Sequence, residues 1–362
     1  YIRLRSSRIK ELPGDTRVTT SQAALMAKLT YTSDPVSTIT TSDGAAYYAL
    51  EGLEITTTNL GGAILSIGSG NETTEAQLPN HIIIDRSYIH GSPLVDGPIR
   101  GFLLAGRFIE ITNSVIREIH KNGYDTQAIW CAQCLGPILI KNNMLSAAGE
   151  NFMAGGGGCY IDSNGNYNYL GTGSYANTSC VFLPGQSQGN IRLVGNHIWK
   201  DPAWALDNDT QNPFVSHTAV PSRACTVGEY YQRSTNSQWY ICTVASGTWV
   251  TTGTTPSLYT IKTLLELKDG RNVEAFGNTL ENTWLGTTSP NDNVFLFNQN
   301  GNFTANYDIQ DIHYWGNRAI NTHSMVSMGN TAYVFPQLNA GSVTRTRRVT
   351  SALAVMLPRG VL

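Results

Sequence analysis

The chain has 362 residues, only 14% of them charged, and a net charge of −2. That balance excludes the basic footprint expected of a protein that binds nucleic acid or an anionic membrane surface. Gly, Asn, Ser and Thr are abundant where a helical protein would use Ala, Glu, Lys and Leu, so short strands joined by polar turns are expected.

Taken in chain order, one octet recurs: apolar, any, apolar, two variable, Asn or Ser, any, Ile or Leu. It starts at Ile2-Leu4-Ser7-Ile9 and has a weaker copy at Tyr48-Leu50-Leu53-Ile55. Full copies follow at Ile82-Ile84-Ser87-Ile89, Ile109-Ile111-Ser114-Ile116, Ile138-Ile140-Asn143-Leu145, Ile191-Leu193-Asn196-Ile198 and Val273-Ala275-Asn278-Leu280. A second weak copy is Ile312-Tyr314-Asn317-Ala319. The first two apolar positions alternate as a strand with one buried face requires. The Asn or Ser marks a sharp corner, and the last apolar residue opens the next strand. Gly195-Asn196, Gly277-Asn278 and Gly316-Asn317 would break a helix at these places.

Between copies lies another apolar run, at Ala63-Ile64-Leu65, Phe102-Leu103-Leu104, Gln127-Ala128-Ile129-Trp130, Asn151-Phe152-Met153, Leu264–Leu267, Val294–Phe297 and Met325-Val326. Ile82 to Ile109 is 27 residues and Ile109 to Ile138 is 29, which is one turn of three short strands. An antiparallel sandwich would reverse the octet in neighbouring strands. The expected fold is therefore all-β, a right-handed parallel β-helix with a small β-hairpin insert. Residues 1–198 would form its first part, 199–259 an inserted loop and small β subdomain, 260–330 its second part, and 331–362 a C-terminal extension. No run of eighteen apolar residues occurs, so no membrane span is expected. The chain opens on Tyr1, directly inside a repeat, as a processed or truncated chain would.

Within the insert, Cys225–Tyr231 and Trp239–Cys242 read as paired strands, with Thr248-Trp249-Val250 as a third. The aromatics there would fill the subdomain's own core or stack on sugar rings. Cys131 and Cys134 form a lone C-x-x-C, Cys159 and Cys180 flank a Gly/Asn/Tyr-rich loop, and Cys225 and Cys242 bracket the hairpin. Without a second C-x-x-C or a paired His, disulfides lead over buried thiols and metal, with Cys225–Cys242 the first choice.

At these repeats the chain resembles the pectin-lyase-like right-handed parallel β-helix superfamily, through residues 81–91, 108–156, 190–199 and 264–284. It is particularly similar to uncharacterised β-helix proteins of environmental bacteria. The resemblance implies a secreted or periplasmic protein acting on polysaccharide or oligosaccharide by hydrolysis or β-elimination. The superfamily also holds tailspikes and adhesins, so a non-catalytic binding solenoid is a further alternative. The D-D and G-H-G segments of polygalacturonase-type members are missing, and Arg8-Ile9-Lys10 matches their R-x-K at the wrong end of the chain. Trp130 is followed by Cys-Ala-Gln rather than the x-D-H of pectate lyases.

The site must then be read from outward polar residues on stacked strands. Asp125-Thr126-Gln127 is followed one rung later by Glu150-Asn151, with Ala128 and Phe152 taken as the same phase. Glu266 and Lys268 alternate with Leu265 and Leu267 and should point outward beside them. Asp125, Glu150 and Glu266 are the candidate acid, base or nucleophile of glycosidic hydrolysis. Arg100, Gln127, Asn151 and Lys268 are candidate substrate contacts. The alternative role for all of them is to bond loop backbones. Elimination would instead use a cation from Lys262, Lys268, Arg100, Arg107 or Lys121, with His90 or His120 as base and calcium as a possible aid. Hydrolysis needs neither cofactor nor metal. Gly155–Gly158 reads as a turn, or as an edge left bare for a sugar ring.

Overall fold

The computed structural model describes residues 1–32, 37–58, 61–93, 96–156, 159–161, 167–169, 188–204, 224–225, 227, 230–233, 238–252, 259–284, 293–298 and 309–329. The chain winds through three parallel sheets in a fixed order, so the fold is a parallel β-helix. The first face is made by Ile2–Arg5, Ala46–Glu51, Asn80–Asp85, the second half of Arg100–Thr112, Ile138–Lys141, Gly189–Val194, Gly270–Phe276 and Ile309–Trp315. Eight strands from Ala27–Tyr31 to Arg318–Ile320 make the second face. The third runs from Ile39–Thr40 to Ser324–Gly329 and includes Gln127–Cys134, Glu150–Ala154 and Leu265–Leu267.

Parallel pairing in strict register builds columns along the axis. Ile84, Ile111, Ile140, Leu193 and Ala275 oppose one another in turn, and all lie in the central apolar core. Full burial of each large aliphatic contributes roughly 1.5–3 kcal/mol, which is the main force stacking the rungs.

The corner between first and second faces explains the octet. Ser114 N–H donates to Asn143 Oδ1 (2.9 Å), Asn143 N–H to Asn196 Oδ1 (2.9 Å), Asn196 N–H to Asn278 Oδ1 (2.8 Å) and Asn278 N–H to Asn317 Oδ1 (2.9 Å). The side-chain amides of Asn143, Asn196 and Asn278 donate to the core carbonyls of Ile111, Ile140 and Leu193. Each preceding residue turns the chain at positive φ, as Asn113 (52°), Asn142 (55°), Gly195 (62°) and Gly277 (65°) show. Gly and Asn tolerate that conformation best, which is why Gly-Asn pairs mark the corner.

One local expectation changes. The first octet copy holds only in its strand: Ile2 and Leu4 pair with Tyr48 and Leu50, but Ile9 begins a 3-10 turn, and the next strand waits until Ala27. Arg17 and Val18 of that detour are pinned to the Asn143 and Asn113 carbonyls, and Leu12, Val18 and Met26 pack with Val115. In the insert, Tyr230–Arg233, Gln238–Val244 and Thr248–Thr252 form a separate antiparallel sheet, with Cys225 and Cys242 joined by a disulfide. A second disulfide joins Cys131 and Cys134 within one strand. Cys180 and residues 331–362 lie outside the described residues. Among the described residues no helix is long and apolar enough to cross a membrane.

Candidate functional site

The corner between second and third faces gathers charge. Register pairs Arg100 with Gln127 and Gln127 with Glu150, whereas Ile129 rather than Ala128 opposes Phe152. The phase inferred from sequence is thus slipped by one residue, because two successive core residues, Ala128 and Ile129, carry the chain round the corner. Gly149 closes that corner: a Cβ there would stand 2.3 Å from the Thr126 carbonyl oxygen and 2.9 Å from Asp125 Oδ1. Its N–H takes Thr126 Oγ1 at 3.0 Å, and Glu150 is delivered beside Asp125.

Asp125, Glu150 and Glu266 form a row of carboxyl groups with Glu150 in the middle, where its charge acts on both neighbours. Lys262 Nζ lies 2.5 Å from Asp125 Oδ2 and 3.1 Å from Glu150 Oε1. Gln127 Nε2 donates to Glu150 Oε2 at 2.8 Å, and Lys268 Nζ is 3.6 Å from Glu266 Oε1. Gly156 makes room for this lysine, since a Cβ would sit 2.7 Å from Lys268 Cδ.

These surroundings split the three acids. Burial and repulsion from Glu150 lift the Glu266 carboxyl to about 8. Burial of the Asp125 carboxyl and the same repulsion raise it to about 6, although 39% of the side chain as a whole stays exposed. Burial pushes Glu150 upward too, but Lys262, the protons of its neighbours and Lys268 outweigh it and hold this carboxylate well below its usual range. Lys262 is in turn kept charged: burial lowers it, and Glu150 and Asp125 more than reverse that.

The expected open face is not found. Gln127, Glu150, Asn151 and Glu266 are all buried, and Asp125 is the member that meets solvent. Asn151 turns inward, its amide donating to the Leu145 and Trp199 carbonyls at 2.7 Å each, so it braces the corner instead of facing a substrate. Arg100 lies over the Trp130 ring, 4.2 Å from its centroid. Outside the cluster, Arg107 pairs with Glu75, Lys121 covers Tyr124, and His90 meets Glu54 at 3.1 Å. His120 is buried between Trp204 and Tyr259, and burial lowers its pKa.

One participant was missed from sequence. Lys200, fully buried, donates to the carbonyls of Ala147 (3.1 Å), Ala148 (3.0 Å) and Gly149 and to Asn151 Oδ1 (3.1 Å). Burial brings it down to about 7, against the pull of Glu150 and Asp125. Its only trace in the sequence is a lysine directly after the His197–Trp199 strand, which reads as surface. Among the described residues no group of His, Cys, Asp and Glu is arranged to hold a metal ion. Comparison with protein-family models, with curated proteins and with solved structures yields no match to this chain.

Proposed function

We propose that this protein is a secreted polysaccharide-active β-helix that hydrolyses glycosidic bonds with the Asp125–Glu150–Glu266 row. The observation that carries the reading is the row's geometry: Lys262 is set against Asp125 and Glu150 at one end and Lys268 against Glu266 at the other. Near neutral pH the outer carboxyl, Asp125, is mostly ionised, while Glu266 keeps its proton. An ionised carboxylate and a protonated carboxylic acid in one site are the base and the acid that glycoside hydrolysis requires. Glu150 between them stays charged and sets both neighbours. Asp125 would activate water, and Glu266 would pass its proton to the leaving oxygen. Elimination fits less well, because its candidate bases stand outside the row: His90 meets Glu54, and His120 is buried between Trp204 and Tyr259. The two disulfides fit an oxidising compartment outside the cytoplasm.

The test is a polysaccharide screen that follows reducing ends and unsaturated products separately, run with wild type and Glu266→Gln. Reducing ends alone should rise, and the variant should lose roughly 10²-fold or more, as expected when a general acid is removed. Retained turnover in Glu266→Gln would end the hydrolase assignment.

A further inference from the structure

We infer that a polar groove one corner away from the carboxylate row is a second glycan-binding site that performs no chemistry. The groove encloses about 780 Å³ and is lined by Asp15, Thr16, Arg17, Thr112, Asn113, Lys141 and Asn142. That volume falls within the range of about 300–1,000 Å³ typical of small-ligand sites. One wall is the corner of two successive rungs, the same two that carry Gln127 and Glu150 on their third face. The other wall is the N-terminal detour, fixed by the Arg17 guanidinium on the Asn143 carbonyl (2.7 Å) and by Val18 N–H on the Asn113 carbonyl (2.9 Å).

The floor is ordered by a relay. Asp85 Oδ1 accepts from Thr112 Oγ1 (2.8 Å) and from the Asn113 amide (2.9 Å), and Asn113 Oδ1 accepts from the Asn142 amide (2.8 Å). The relay leaves Asn142 Oδ1 without a hydrogen-bond partner among the described residues. Asp15 and Lys141 likewise make no side-chain hydrogen bond or ion pair among the described residues. The groove thus offers the acceptors of Asp15 and Asn142 beside the cationic donors of Lys141 and Arg17, and no apolar residue lines it.

That mixture selects the ligand class. A simple anion would be met by Arg17 and Lys141 but would leave the Asn142 acceptor unused and face Asp15, and an apolar ligand would strand every lining group. Sugar hydroxyls donate and accept at once, so a hydroxyl-rich oligosaccharide segment satisfies both kinds. The choice of a glycan rests on the proposed function, whereas the groove stands apart from the carboxylate row.

The experiment is affinity electrophoresis through gels containing xylan, glucomannan, galactan, polygalacturonate or alginate. It compares wild type, Glu266→Gln, Asp15→Ala and the pair Lys141→Ala/Asn142→Gly, the last glycine keeping the positive φ of 55°. Wild type and Glu266→Gln should be retarded equally by at least one polymer. Asp15→Ala and the pair should each lose about tenfold in affinity, the scale of one charged hydrogen bond, with the melting of Asp15→Ala unchanged. Their turnover of short soluble oligosaccharides should equal wild type. Unchanged retardation in both groove variants, or no retardation of wild type by any polymer, overturns the site. Loss of groove binding alongside retained turnover in Glu266→Gln overturns the hydrolase reading and leaves the groove standing.

Discussion

The same rungs carry two buried polar corners that solve burial in opposite ways. The Ser/Asn corner is neutral, and each amide both donates to a core carbonyl and accepts from the rung before it. The carboxylate corner is charged: Glu150 Oε1 is met by the Lys262 ammonium at 3.1 Å, and Asp125 Oδ1 is a buried acceptor with no hydrogen-bond partner among the described residues. A saturated neutral ladder stabilises a solenoid, while a charged cluster costs desolvation that its pairing only partly offsets. Polar burial that is complete therefore marks scaffold. Polar burial left incomplete, with acids forced apart in protonation, is the feature on which the proposed hydrolase reading rests.

The largest way to break this contrast is Lys262→Met. Removing the cation leaves Glu150 charged, fully buried and poorly compensated, and should cost about 3–5 kcal/mol, read as a fall in denaturation midpoint. Next is Asn196→Ala in the neutral ladder. It strands the backbone N–H of Asn143 and the carbonyl of Ile140 and should cost about 2–3 kcal/mol by the same measurement, with turnover per folded molecule unchanged.

A sharper test uses pH. Activity should rise as Asp125 loses its proton near 6 and fall as Glu266 loses its own near 8, giving a bell. The stability consequence has the opposite sense to that of an ordinary ion-paired carboxylate. Both acids have folded values above their usual ones, so the unfolded chain gives up these protons first. The stability they contribute is complete below their usual pKa values and is lost as pH rises, to about 6 for Asp125 and about 8 for Glu266. The melting temperature of Glu266→Gln should therefore gain on wild type between about 4.5 and about 8. A parallel pair of melting curves across that window would remove the raised Glu266 from the account. The smallest effect is expected at the exposed Arg192–Glu274 pair on the first face, 2.7 Å apart, where Arg192→Ala should cost less than about 1 kcal/mol.

What the sequence discloses follows the same division. The Ile columns and the Asn corner are legible because each depends on a residue type repeated at one phase, and parallel stacking demands that repetition. The Cys225–Cys242 bridge is legible from two strand-like runs between the thiols. The charged corner is legible only in part. Asp125, Glu150 and Glu266 do come together, but strand alternation cannot foretell that two consecutive inward residues, Ala128 and Ile129, shift the phase. Burial of the cluster is equally hidden, since a lone Lys200 or Lys262 reads as surface until its partners from distant rungs are known.

The strand Arg100–Thr112 passes from the third face into the first without a break, so one rung has a hinge-free seam where others have loops. Gly106 sits at that seam with no space for a side chain, a Cβ lying 2.7 Å from the Pro79 carbonyl oxygen. For evolution by segment insertion, this makes the two edges of the solenoid unequal. At this rung new sequence can enter where the second face meets the third, and is barred on the side where one strand already belongs to two sheets.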